Sequence, residues 1–185
     1  MSMFRRIMLG GGIHMVPDTQ KLYYKSSIKL TPRDNPFNSP IMDHIWNHIT
    51  GDGVIICIND ITIINDSAFI GERLMTNIII PNSLTSIDAA AFRSCEDLQN
   101  ITFPNNVISI GNGAFAQCIS MEYYDFSSHE TIPILGNDRV FSDIPSTCKI
   151  IVPDSLYDEW IVAEHWTEYT SNIIKKSDWD NLQTT

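Results

Sequence analysis

Apolar positions in the middle of this chain follow neither the spacing of a helix face nor the alternation of a long strand; they recur every 23 residues. Phe69, Phe92 and Phe115 are successive members, each preceded by alanine, and Ile64, Ile87 and Ile110 stand five residues before them. Met75, Leu98 and Met121 keep step, as do Ile78, Ile101 and Tyr124, then Ile80, Phe103 and Phe126. Pro81 and Pro104 each follow their phenylalanine by twelve residues. The next equivalent, Val140-Phe141, arrives after 26 residues, and Pro153 restores the register. The three extra residues are expected in the loop over 127–138, where Pro133 and Gly136 supply breakers.

A unit this short cannot bury its own apolar face, so successive units must stack and share one core. The segments ending at the prolines are rich in β-branched residues and predict short parallel strands, one per turn. The Ala-Phe segments predict a tight turn or short helix on the opposite, convex side. Phe69, Phe92, Phe115, Phe141, Ile64, Ile87, Ile110, Leu98, Ile101 and Phe103 are the expected repeat core. The chain divides into an N-terminal tail (1–19), a capping module (20–53), repeats (54–153) and a C-terminal helical cap and tail (154–185). Within the first module, Leu22-Tyr23-Tyr24 and Ile28-Lys29-Leu30 suit a hairpin, and 41–49 reads as a helix. At the other end Pro153-Asp154-Ser155 reads as a capped helix start, with Leu156, Trp160, Trp166, Tyr169 and Ile173 closing the last turn.

The run L-x-x-I-x-F-P-x-x-V-x-x-I-G-x-x-A-F-x-x-C, Leu98 to Cys118, resembles the BspA-type (treponemal-type) leucine-rich repeat family. The resemblance covers about residue 54 to residue 153. It implies an α/β-type solenoid, a short right-handed stack of parallel strands. It also implies an N-terminal β-hairpin module near Lys21 to Phe37 and a helical C-terminal cap near Val152 to Ile174. The role it implies is that of a bacterial surface protein in cell adhesion and protein binding.

Charge narrows the partners. Twenty-two acidic against twelve basic residues leave a net charge of −10, which disfavours nucleic acid and anionic membrane surfaces. No apolar run reaches the length of a membrane span. Arg5-Arg6, Ile7-Met8-Leu9 and Gly10 to Gly12 do not compose a signal peptide, and no lipidation motif is readable; a surface location rests on the family resemblance alone.

Candidate chemistry is sparse. Cys57, Cys95, Cys118 and Cys148 show no C-x-x-C pair and read as free packed thiols, with Cys148 expected to be partly exposed. His44 and His48 would share a helix face and could hold a metal, but the Glu between them that a metalloprotease needs is absent and no third ligand has readable spacing. No nucleophile motif or phosphate loop occurs, so neither an enzyme nor a cofactor or metal is expected. The binding surface is expected on the outward row of the strands, at Ile79, Asn100, Thr102, Tyr123 and Asp125, with the end members Ile56 and Ile151 covered by the caps. The reading is a non-catalytic interaction or adhesion module for a protein or glycan, acting as a monomer. The alternatives are a structural subunit of a larger bacterial or phage-like assembly and, remotely, a metal-dependent enzyme built on the histidine pair.

Overall fold

The structure, a computed structural model, describes residues 7–9, 12–14 and 16–184. Residues 1–6, 10, 11 and 15 of the expected tail over 1–19 lie outside the described residues; within it β1 (Ile7–Leu9) and β2 (Gly12–His14) pair antiparallel. β3 (Lys21–Ser26), β4 (Ile41–Trp46) and β5 (Asp52–Cys57) form the N-terminal module. The solenoid then lays down β6 (Ile63–Ile64), β7 (Met75–Ile79), β8 (Ser86–Ile87) and β9 (Asn100–Thr102). It continues with β10 (Ser109–Ile110), β11 (Tyr123–Asp125), β12 (Ile134–Leu135) and β13 (Lys149–Val152). A short helix α1 (Tyr157–Trp160), β14 (Ile173–Lys175) and a second helix α2 (Lys176–Gln183) follow.

Each repeat thus contributes two strands, where the sequence pattern predicts one. The larger sheet has the order β14-β13-β11-β9-β7-β3-β5-β4, and a second, four-stranded parallel ladder runs β12-β10-β8-β6. The third side is a turn and not a helix. Its φ angles repeat like its sequence: Ser67, Ala90 and Gly113 lie at +56°, +53° and +60°, and Gly71, Ser94, Gln117 and Asp143 at +75°, +59°, +65° and +60°. This geometry aims alternate backbone N–H groups along the solenoid axis. Phe69 N donates to Ala91 O at 2.7 Å and Phe92 N to Ala114 O at 2.8 Å, so each turn satisfies the one before it.

The phenylalanines stack as the period requires. Ring centroids of Phe69–Phe92, Phe92–Phe115 and Phe115–Phe141 are 5.2, 5.1 and 5.8 Å apart, with planes within 11°. Phe103 and Phe126 make a second stack at 4.2 Å. All ten expected core residues are buried. The fourth turn stretches within the expected loop, in two places. Ile110 pairs with Leu135, 25 residues on, so two extra residues precede β12 and the third follows it, before Phe141.

The ends are closed by groups that imitate a missing turn. At the C-terminus Tyr169 OH accepts from Phe141 N at 3.1 Å and donates to Asp138 O at 2.7 Å, and Trp166 Nε1 donates to Pro133 O at 2.8 Å. Trp160 and Trp166 are wholly buried, which makes them end-cap residues and not an exposed sugar platform. Asp154 does not cap the short helix that follows it; its Oδ1 accepts from Ser177 N, in the first turn of α2, at 3.0 Å. At the N-terminus Glu72, which takes the repeat position held later by Cys95 and Cys118, accepts from Thr31 N at 2.6 Å, and Arg33 N donates to Ala68 O.

Three expectations are overturned, two in the N-terminal module and one in the repeats. Segment 41–49 is not a helix, because Ile41–Trp46 is a strand pairing with β5 across a bulge between Ile41 and Asp43. The bulge breaks the period-two pattern and leaves apolar residues at a helix-like spacing. The hairpin is made by β4 and β5; Leu22-Tyr23-Tyr24 instead pairs with β5 and β7, and Ile28-Lys29-Leu30 forms no strand. Cys148 is fully buried, as are the other three thiols, and none is bridged.

Candidate functional site

The outward face of the larger sheet carries two rows. Asn77 pairs with Asn100, Asn100 with Tyr123 and Tyr123 with Lys149, which sets Ile79, Thr102, Asp125 and Ile151 in the adjacent row. The row does not run on to Ile56. β3 inserts antiparallel between β7 and β5, so Tyr23 stands against Ile79 and Lys21 against Ile56. The repeat count takes β5 for a first parallel turn, whereas its hydrogen bonds belong to the N-terminal module.

Ile56 and Ile151 are both fully buried although neither belongs to the continuous core, so the ends of the outward face are covered. What stays open is the middle. Ile79 is 60% exposed, and Thr102 beside it is also exposed. They line a depression of about 430 Å³ with Asn77, Asn100, Asn82, Pro104 and Ser128. That volume falls at the smaller end of ligand sites, about 300–1,000 Å³. Asn77 Nδ2 donates to Asn100 Oδ1 at 3.2 Å, which orients the two amides into a ladder and leaves the Asn100 amino group for a ligand acceptor. Every residue lining the depression is uncharged, in a chain of net charge −10.

Of the five candidate contact residues, Ile79, Asn100 and Thr102 meet at this depression. Tyr123 and Asp125 do not line it. The Tyr123 ring lies 5.3 Å from that of Trp179 on α2, and Asp125 Oδ1 accepts from Ser127 N at 2.8 Å, within its own loop. The residues missed from sequence are Asn82 and Ser128. Ser128 sits in the segment between β11 and β12, which is two residues longer than its equivalents, and that break in the period is the signal that pointed to it.

The histidine pair falls apart with the helix that was to hold it. His44, on β4, is half-buried with Nε2 2.8 Å from Tyr24 OH, while His48 is exposed in the following turn. Burial, aided by nearby Lys29 and opposed by Asp43, lowers the His44 pKa to about 4, so the ring that shares this hydrogen bond with the Tyr24 hydroxyl is neutral. The Tyr24 ring reaches it by crossing Gly53, where a Cβ would come within 2.0 Å of the ring carbon that bears the hydroxyl. Burial raises the thiol pKa of Cys57 to about 11 and of Cys118 and Cys148 to about 12, so these thiols are protonated and unreactive. Among the described residues no group of three His, Cys, Asp or Glu could hold a metal.

Stacked parallel strands, a stacked aromatic ladder and an open sheet face together define a leucine-rich-repeat solenoid of about five turns with a spacing near 23 residues. Residues 62–159, just over half the chain, match the BspA type leucine rich repeat region in six copies, and the chain belongs to that family. No curated protein matches it. Leucine-rich-repeat domains mediate protein interactions and are typically non-enzymatic binding scaffolds. No helix among the described residues is long and apolar enough to cross a membrane.

Proposed function

We propose that this chain is a non-catalytic binding module that serves adhesion, and that the outward depression around Ile79 and Thr102 receives an extended, uncharged protein segment. The observation that carries this reading is an exposed isoleucine set among hydrogen-bonding amides and a hydroxyl, in the middle of a face whose isoleucines Ile56 and Ile151 are buried. An apolar side chain of the partner would cover Ile79, and its backbone would bond Asn100 and Thr102. Charged partners would lose hydration there without gaining a counter-charge.

The test compares immobilised wild-type chain with Ile79→Arg and Thr102→Arg. Both sites are exposed, so the variants should melt within a few degrees of wild type. A protein retained by wild type and lost from both variants supports the site; equal retention by all three refutes it. Adhesion itself is read by adding protease to intact cells. Removal of the chain supports that role, and protection points to the alternative of an internal scaffold.

A further inference from the structure

The C-terminal cap is complete before α2 begins. Trp160, Trp166, Tyr169 and Ile173 are buried against the last turn, and β14 extends the sheet beside β13. α2 adds nothing to that closure, since none of its residues is buried. It lies on the outward face instead, packed against β13 and β14, with Trp179 over Tyr123. Ile151, on the outward row of β13, is fully buried and outside the core, and α2 is the element packed on its strand there.

Its polar attachments include accessible ones. Ser177 N donates to the exposed Asp154 carboxylate, and Lys176 pairs with Asp180 inside the helix itself. Lys175, just ahead of it, sits 5.0 Å from the centre of the Tyr157 ring. An eight-residue helix is unstable alone, so its presence depends on its contacts with the sheet, that of Trp179 with Tyr123 among them. Tyr123 stands in the same row as Asn100, which lines the depression, so the covered patch and the open site are one continuous surface.

We propose that α2 is a displaceable strap lying on part of the partner surface, and that the segment replacing it presents an aromatic side chain to Tyr123. This rests on the binding reading above and adds its regulation: the surface is shortened until the strap leaves. The occupant already in place defines what the patch accepts, an aromatic ring on Tyr123.

The test needs no partner. A fluorescent peptide of residues 173–184 is titrated against the full chain and against full-chain Trp179→Ala, alongside the same peptide with alanine in place of its tryptophan. The tryptophan peptide should bind the variant at least about tenfold more tightly than wild type, because the patch is no longer occupied in cis. The alanine peptide should bind neither. In the wild-type chain, amides of 176–183 should exchange with solvent at least about 100-fold faster than those of β9 and β11. Equal peptide binding to both chains, binding to neither, or exchange of α2 only with global unfolding would overturn the strap. Those outcomes leave the depression untouched, since its test turns on Ile79 and Thr102.

Discussion

Ala90 and Gly113 occupy the same place in successive turns, at φ of +53° and +60°, yet only one is a glycine. The left-handed region costs an L-residue with a Cβ about 1–2 kcal/mol. A Cβ on Gly113 would meet nothing closer than 3.8 Å, so the backbone conformation alone decides the effect. Ala90→Gly should therefore stabilise and Gly113→Ala destabilise, each by about 1 kcal/mol, read as opposite shifts of the urea midpoint. Two shifts of the same sign would refute the reading. The alanine before each phenylalanine was legible from sequence because it recurs with the period. The strained position two residues before Phe92 was not, because its occupants, Ser67, Ala90 and Gly113, share a dihedral angle and no side-chain chemistry.

At the scale of elements, β3 and β4 meet through Tyr24 and His44. A histidine has a pKa of about 6.5 when unfolded, whereas His44 in the folded chain has one lowered to about 4. Between these values the unfolded chain binds a proton that the native chain refuses, so stability falls as pH drops from about 6.5 towards 4. His129, buried against Phe126 and Trp160, is pushed in the same direction by burial. Urea unfolding at pH 7 and pH 5 should show a lower midpoint at pH 5, and His44→Gln should reduce that difference; an unchanged difference would remove His44 from the account. At the other cap, Tyr169→Phe leaves Phe141 N and Asp138 O without a partner and should cost about 1–3 kcal/mol in thermal or chemical melts. None of these pairings could be read from spacing. The Tyr24–His44 and Tyr169 pairings join residues 20 to 31 positions apart, none of them at the 23-residue spacing of the repeat.

Across the whole molecule, each turn touches only its neighbours, and the phenylalanine ladder makes that measurable. Replacing Phe92 by alanine should cost about 3–5 kcal/mol. In double-mutant cycles with leucine, Phe69 and Phe92 should couple by about 0.5–1.5 kcal/mol, as stacked rings do. Phe69 and Phe115, two turns apart with Phe92 between them, should add within about 0.5 kcal/mol. Strong coupling of the distant pair would mean that the core responds as one body.

The period, the aromatic ladder, the stretch of the fourth turn and the identity of the buried core were determined by the sequence alone. A 23-residue unit can bury its apolar residues only against copies of itself, so the solution is written in the spacing. The ends were decided by tertiary structure. A cap has no neighbour to repeat, and its strands take whatever partners the first and last turns leave unpaired. That is why β3 inserts between β5 and β7, why a bulge lies within the strand over 41–46, and why the outward row passes from Ile79 to Tyr23 and not to Ile56. The candidate site has the same division. Ile79, Asn100 and Thr102 followed from alternation along the strands, whereas α2 on Tyr123 and Ser128 at the depression depended on where non-repeating segments fold back.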